Sequence, residues 1–404
     1  MAESSATITD EAIERLNKRR GIPVKWGERP RNTASSADSI RQFAIGYGDD
    51  NPLFTDSDYA EGTRWKAPLA PPLYYMSAGN RRKVAWTDEQ TEAMAGGDPL
   101  RGVGQYMTSE RWAFVRPVTP GIRLWKSQYL DRVDARDSEF AGGRVVVLTH
   151  RIVYTDDDGQ IFALNERDYH HADRKASGEK GKYRDIKIAP YSDEEMEAID
   201  AAYENEYRRG AERLSINQVS AGDELPEIVK GPLTVSDIMG YHVGLGWGGM
   251  GAGPLKLAHK NRKRVPGFYT KNSLNVYDVA QRCHWESEFA QELGHPAAYD
   301  YGAMRTNWTG HLITNWMGDD AWISRLSTRI RRFNYVGDTQ WMRGRVESVD
   351  ASSVPPAVNL VVEAVNQRGE TTCQGTATVL LSSGDGVVPE LPTVSSLDDL
   401  PEKL

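Results

Sequence analysis

Gly48-Asp49-Asp50-Asn51-Pro52-Leu53-Phe54 and Val279-Ala280-Gln281-Arg282-Cys283-His284 look unrelated until the residues behind them are counted. Pro72, in Leu69-Ala70-Pro71-Pro72-Leu73, lies 18 residues after Phe54. Gly302, in Asp300-Tyr301-Gly302-Ala303-Met304, lies 18 residues after His284. A helix is expected to follow in each case. The second motif therefore reads as a faded copy of the first, 230 residues later: two halves built on one plan, with different residues at corresponding positions.

A chain of 404 residues is too long for one small core, and two domains are expected. Its 39% hydrophobic and 26% charged content is that of an ordinary soluble protein, and no apolar run approaches the ~20 residues of a membrane span. Met1-Ala2-Glu3-Ser4-Ser5 lacks the basic-then-apolar layout of a secretory signal, so the expected location is cytoplasmic. A net charge of −8 argues against nucleic-acid binding, which needs clustered positive charge. With Cys283 and Cys373 as the only cysteines, neither a disulfide framework nor a four-cysteine zinc site is available, and no metal is expected. Eleven Trp and eighteen Tyr against eight Phe suit pocket walls and interfaces, because both combine a large apolar body with a polar tip.

Residues 1–35 read as a polar extension with a helix over Asp10 to Arg20. Residues 36–171 form the first half: a helix from Ser36 to Tyr47, capped by Ser36 or Asp38, a polar, glycine-rich insertion at 88–105, and strands at Arg111 to Val115, Leu124 to Val133, Arg144 to Tyr154 and Ile161 to Asp168. Residues 172–219 are a joint, charged as far as Arg184 and helical from Asp193 to Glu212. Residues 220–382 repeat the plan, with a helix over Thr234 to Val243, a long helix from Gly302, and strands at Trp322 to Phe333, Asp338 to Val349, Ala357 to Asn366 and Thr372 to Leu381. Residues 383–404 are a loose acidic tail. Helix followed by antiparallel strands is an α+β pattern, not the alternation of a doubly wound sheet. Met304, Trp308, Leu312 and Trp316 recur every four residues, an apolar stripe, and a helix this apolar is expected to be wrapped by its own sheet.

The layout resembles the hot-dog fold, a curled antiparallel sheet around one long helix, and more narrowly the double hot-dog members of the MaoC-like hydratase/dehydratase family. Asp49-Asp50-Asn51-Pro52-Leu53 is similar to that family's Asp-x-Asn-Pro-Leu-His signature. Ala70-Pro71-Pro72 resembles the approach to the first hot-dog helix in members whose N-terminal half is dehydratase-like. Arg282-Cys283-His284-Trp285, Tyr299-Asp300-Tyr301-Gly302 and Asn334-Tyr335-Val336-Gly337-Asp338-Thr339 resemble their C-terminal half. The resemblance spans residues 36–170 and 220–382. It implies reversible, (R)-specific addition of water to an enoyl thioester of coenzyme A, or loss of water from the 3-hydroxyacyl-CoA, with the thioester as substrate and no further cofactor.

In that family an Asp and a His hold the attacking water, and a backbone N–H at the start of the central helix polarises the thioester carbonyl, where an unsatisfied N–H and the positive end of the helix dipole stabilise enolate charge. Pro72 has no N–H and cannot serve as that donor; Gly302 can, and lets a ligand come close. Phe54 stands where His284 stands. The resemblance thus puts the active centre in the second half, with His284 as general base and acid, Gly302 as carbonyl donor, and the first half shaping the acyl tunnel. Tyr299, Tyr301, Asn51, Glu286 and Arg305 are the expected substrate-binding residues.

The family's Asp lies five residues before its His, and here that place holds Val279. The carboxylate could be Asp49 reaching across from the first half, which is favoured; Asp278 or Glu286 could supply it locally, or His284 and water could act alone. Asp49 and Asn51 could equally cap a turn. His311, inside the long helix, is read as packing. Arg305 in the first helical turn is opposed by the dipole and is expected to pair with Asp300 or Asp319, or to meet an anionic group of the ligand. Gly244-Leu245-Gly246-Trp247-Gly248-Gly249 matches a dinucleotide fingerprint without the βαβ unit that fingerprint requires, and is read as a flexible loop over the pocket. The basic run from Lys256 to Arg264 is a solvated face or a phosphate contact. Two other functions fit the same residues: a hot-dog acyl-CoA thioesterase, and a non-catalytic acyl-CoA-binding or scaffold protein. The 88–105 insertion and the tryptophans point to a bulky or branched acyl group or a polyfunctional acid. A homo-oligomer is possible, although a double hot-dog already contains the minimal dimer.

Overall fold

The computed structural model describes residues 7–25, 30–138, 143–172, 186–246 and 253–392. The glycine-rich loop at 247–252, the charged stretch 173–184 and the tail from 393 lie outside the described residues.

Twelve strands are described: β1 (Asn80–Arg81), β2 (Gly104–Phe114), β3 (Trp125–Ser138), β4 (Gly143–Thr155), β5 (Ile161–Ala172), β6 (Glu224–Lys230), β7 (Tyr269–Lys271), β8 (Tyr277–Val279), β9 (Trp322–Ile330), β10 (Gln340–Asp350), β11 (Ala357–Asn366) and β12 (Thr371–Leu380). Ten of them make one sheet in the order β1-β3-β4-β5-β2-β9-β12-β11-β10-β6, while β7 and β8 pair apart. The first five in this order belong to the first half and the last five to the second. The halves join antiparallel through β2 and β9, with Ser109 opposite Arg329 and Ala113 opposite Arg325. The internal duplication therefore becomes a continuous sheet, and one apolar core runs through both halves, from Ile40 and Phe43 to Leu312 and Val379.

The second half is a complete hot-dog. Its helix, Gly302–Met317, is buried at every position from Met304 onward. The apolar stripe accounts for only one of its faces. The others carry polar groups whose hydrogen bonds are made inside the protein, as burial requires: Thr306 Oγ1 pairs with Thr328 Oγ1 at 2.9 Å, Thr309 Oγ1 donates to the Arg305 carbonyl, and Asn307 Nδ2 to the Ala303 carbonyl.

The first half departs from expectation. Behind Pro72 there is one 3-10 turn, Tyr74–Ser77, and no long helix. Gly79, at φ +101°, turns the chain into β1, which pairs with β3. The sequence that would have continued a helix is Arg81-Arg82-Lys83, three consecutive cations that a wrapped helix would have to bury at high cost. The aromatic rings of Tyr75, Trp112, Phe114 and Tyr154, with centroids 5.1–6.2 Å apart, pack there instead.

Smaller differences have local causes. The helix expected to reach Glu212 ends at Glu204, because the chain then turns against the far end of the central helix, where the Arg209 N–H donates to the Asn315 carbonyl at 2.9 Å. The 88–105 insertion contains a short helix, Asp88–Ala93, held by a Thr87–Gln90 capping box. The helices Ala37–Gly46 and Val235–Leu245 occupy like places in the two halves and cross at glycines: a Cβ on Gly46 would stand 2.7 Å from Gly244 Cα. No helix among the described residues is long and apolar enough to cross a membrane.

Candidate active site

The chain approaches the central helix by a fixed path. After β8 comes a 3-10 turn, Ala280–His284, then a short helix, Ser287–Glu292, and an extended stretch ending at Tyr301. Tyr299 pairs antiparallel with Tyr335, and the Asp300 N–H donates to the Asn334 carbonyl at 2.9 Å. Tyr301 is the N-cap residue, and no side chain caps the helix. The Met304 N–H donates to the Tyr301 carbonyl at 2.8 Å, and the Gly302 N–H and the positive end of the dipole are left to whatever occupies the space before them. A Cβ on Gly302 would stand 2.9 Å from Met107 Cε and 3.2 Å from Ile330 Cγ1, so glycine keeps that approach open.

His284 is held at the same place. Its Nδ1 lies 2.8 Å from the Tyr299 carbonyl oxygen. A carbonyl can only accept, so Nδ1 carries the hydrogen and Nε2 the lone pair. The imidazole lies against Tyr301, ring centroids 3.8 Å apart, and the Tyr301 hydroxyl is 2.7 Å from His242 Nε2. Burial outweighs the Tyr299 carbonyl and pushes His284 down to about 4; burial also pushes His242 down to about 4. At neutral pH both are uncharged, and His284 offers a lone pair rather than a positive charge.

The Asp300 carboxylate next to this cluster is turned away from it. It takes Arg305 Nε at 2.9 Å, Arg305 Nη2 at 3.0 Å and Asn334 Nδ2 at 3.1 Å, and burial still lifts it to about 6 against Arg305 and Asn334. Arg305 Nη1 donates to the Arg332 and Thr372 carbonyls. Wholly enclosed by protein acceptors, Arg305 braces the helix start and is not a ligand contact. Glu286 is likewise engaged, 3.1 Å from Arg282 Nε. The Asp278 carboxylate accepts from the Val279 N–H at 2.7 Å, and Val279 is buried beside Tyr269.

Asp49 faces His311, not His284, which corrects the favoured expectation. It is 1% exposed and accepts from the Tyr47 hydroxyl at 2.9 Å and the Asn51 N–H at 3.0 Å. Its Oδ1 is 3.5 Å from His311 Nε2, which is also 3.1 Å from Glu206 Oε1. Lys230 Nζ lies 2.9 Å from His311 Nδ1. His311 is nine residues beyond Gly302, about 14 Å along the helix at 1.5 Å per residue. The physical reason is charge: the middle of the wrapped helix buries His311 against Lys230, and Asp49 and Glu206 supply the negative charge beside them. Asn51 serves the turn, its Oδ1 accepting from the Leu53 N–H at 3.0 Å. It also lines a narrow apolar cavity of about 30 Å³ with Phe54, Pro72, Met317 and Trp322, room for a water or two and not for an acyl chain.

Of the expected residues, then, the structure brings His284, Tyr299, Tyr301 and Gly302 together, with Arg305 behind them and Glu286 paired with Arg282, and leaves Asp49 and Asn51 elsewhere. Sequence reasoning missed His242, for which a lone histidine in a helix carries no signal. The basic run forms the helix Lys256–Arg264, largely exposed. Among the described residues, no group of three or more His, Cys, Asp or Glu could hold a metal ion.

Comparison with known proteins adds to this geometry. Residues 29–164 match the family model described as FAS1-like, dehydratase domain region. Over 91% of this chain and all of the other, the fold superposes on a MaoC-like dehydratase at TM-score 0.61 and 18% identity. The fold is the MaoC-like double hot-dog. A MaoC-like dehydratase from Phytophthora capsici has the same fold at TM-score 0.51 and 10% identity, over 92% of this chain and 99% of that one. So has a conserved hypothetical protein from Mycobacterium tuberculosis with a double hotdog fold, at 0.51 and 12%, over 90% of this chain and 96% of the other. No curated protein matches the sequence.

Proposed function

We propose that this double hot-dog hydrates an enoyl thioester, or dehydrates the 3-hydroxyacyl thioester, in its second half, with coenzyme A as the thiol. The observation that carries the reading is the seating of a neutral imidazole, Nε2 lone pair free of the Tyr299 contact, against the residue that opens an uncapped central helix. In this reading the thioester oxygen accepts from the Gly302 N–H, which stabilises the negative charge that develops there as the β-carbon is attacked. His284 Nε2 takes a proton from the attacking water, the oxygen bonds to the β-carbon, and the same proton passes to the α-carbon, so that H and OH are added across the double bond. Tyr301, held by His242, fixes the imidazole face. (R)-specificity would follow if one face of the double bond is presented to His284. Val279 in the carboxylate position means that the water is held without a charged acid.

The test is the enoyl absorbance of crotonyl-CoA and longer 2-enoyl-CoAs, followed with the wild type and with His284→Ala. Decay that depends on His284 and leaves the thioester intact supports hydration. Free thiol from saturated and unsaturated thioesters alike would establish a thioesterase, which uses the same carbonyl donor. Tight binding without turnover of any enoyl-CoA would establish a non-catalytic acyl-CoA binder.

A further inference from the structure

In the first half a single 3-10 turn takes the place of a long helix, and the aromatic rings around Tyr75 cover one end of the adjoining sheet face. The other end is lined by charge. Arg81, Lys126, His150 and Arg167 each keep some accessible surface. Lys126 Nζ stands 5.9 Å over the Tyr154 ring and makes no hydrogen bond or ion pair among the described residues. Arg81 spends Nη2 on Gln128 at 3.2 Å, while its Nη1 is buried without a partner, as is His150 Nδ1. Glu110 is already ion-paired with Arg167, and its Oε2 is buried without a partner. Burial, with Arg167 and Arg81 adding repulsion, brings Lys126 down to about 7. Cations outnumber their counter-ion here, and buried donors without partners are rare in folded proteins.

The charged cluster reaches the central helix: Glu110 stands opposite Thr328 across the β2–β9 seam, and Thr328 Oγ1 lies 2.9 Å from Thr306 Oγ1 of that helix. Arg167 and Glu110 act electrostatically on Tyr241, whose hydroxyl takes Asn307 Nδ2 of the central helix at 3.4 Å. The Tyr241 ring is 6.1 Å from that of Tyr301, which lies against His284. A chain bound by its thioester at Gly302 and running past Tyr241 would end among Arg81 and Lys126.

We propose that the acyl group ends in a carboxylate bound by Arg81 and Lys126, so that the substrate is a dicarboxylic enoyl or 3-hydroxyacyl thioester. The inference rests on the proposed function for its orientation, and its test is chosen to separate the two. Equilibrium binding of glutaryl-CoA and valeryl-CoA, which differ at the terminal carboxylate and cannot be hydrated, reads the preference without turnover. A charge-assisted contact of this kind predicts about tenfold or more in favour of glutaryl-CoA. Lys126→Met and Arg81→Gln should each remove most of that preference and leave valeryl-CoA and free coenzyme A within about twofold, while Lys126→Arg keeps it. Glutaconyl-CoA should then be hydrated with a higher kcat/KM than 2-pentenoyl-CoA by a similar factor. Equal binding of the two saturated thioesters by the wild type overturns the inference even if 2-pentenoyl-CoA is hydrated. Preference for glutaryl-CoA with no hydration of either enoyl thioester upholds it and overturns the proposed function. Equal loss of free coenzyme A in the variants assigns the cations to the nucleotide phosphates and also overturns it, and binding of neither thioester overturns both readings.

Discussion

Eighteen residues before the start of its helix, the second half carries His284, and at the same distance before Pro72 the first half carries Phe54. The second half also keeps a glycine at the helix start and a complete wrapped helix, whereas the first has proline and a single 3-10 turn. Each change fits the others. Without a helix there is no dipole to aim at a carbonyl, and without that there is no use for a base beside it; Phe54 and Pro72 can then close a small apolar cavity. The half without that helix carries charged groups on its sheet instead, among them Lys126, His150 and Arg167.

The sharpest way to break this comparison is to make the halves alike at the base. His284→Ala should lower kcat/KM for an enoyl-CoA by about 10²- to 10⁴-fold, the usual worth of a positioned general base, with folding monitored by circular dichroism. Phe54→His should restore nothing, because no N–H donor stands behind it. Activity that survives in His284→Ala removes the proposed centre.

The second change copies the first half into the second at the helix start. Gly302→Pro removes the N–H at a position where proline suits a helix, and should cost about 10²- to 10³-fold in kcat. Gly302→Ala keeps the N–H and presses only on the flexible end of Met107 and on Ile330; it should cost less. Equal losses in the two would mean that shape and not the donor matters there.

The carboxylates test the opposite assignment, that the first half's acidic motif is structural. Burial alone would raise Glu206, but His311 and Lys230 hold it down to about 2 from an ordinary 4.5. A depressed carboxylate stabilises the fold fully above its ordinary value, and that contribution fades as pH falls toward 2, on the order of 3 kcal/mol in all. Glu206→Gln should therefore lower Tm clearly at pH 7 and little near pH 2.5, and Asp49→Asn should lower Tm while leaving kcat within a few-fold. Loss of kcat in Asp49→Asn at unchanged Tm would instead return Asp49 to the reaction.

Spacing made the duplication, the strands and the wrapped second helix legible, since hydrophobic period and turn residues report local structure directly. Ala357–Asn366 falls where the sequence places it, and Gly302–Met317 begins at the expected glycine. The missing first helix was not legible from spacing, although Arg81-Arg82-Lys83 would have argued against burying it. Which carboxylate meets which imidazole was least legible of all. Asp49 and His311 are 262 residues apart, and a motif shared with a family says what a residue did in the family, not which partner it has kept. The pairing of Asp49 with His311 follows from the charge of Lys230 and Glu206, which no motif marks.

Val279 offers the mildest change and the finest comparison. If it stands where a carboxylate once faced the imidazole, Val279→Asp should raise the His284 titration from about 4 by about one unit or more, because an anion within ~6 Å favours the imidazolium. The shift is readable from the imidazole proton resonances. The new charge is buried and costs stability, so Tm should fall, and kcat/KM should change by less than about tenfold in either direction. His284 already lacks a charged partner, and the Tyr299 carbonyl fixes its tautomer with or without one. An unmoved titration in a folded variant would show that residue 279 does not face the ring. The correspondence between the halves would then hold for the histidine and the glycine but not for the acid.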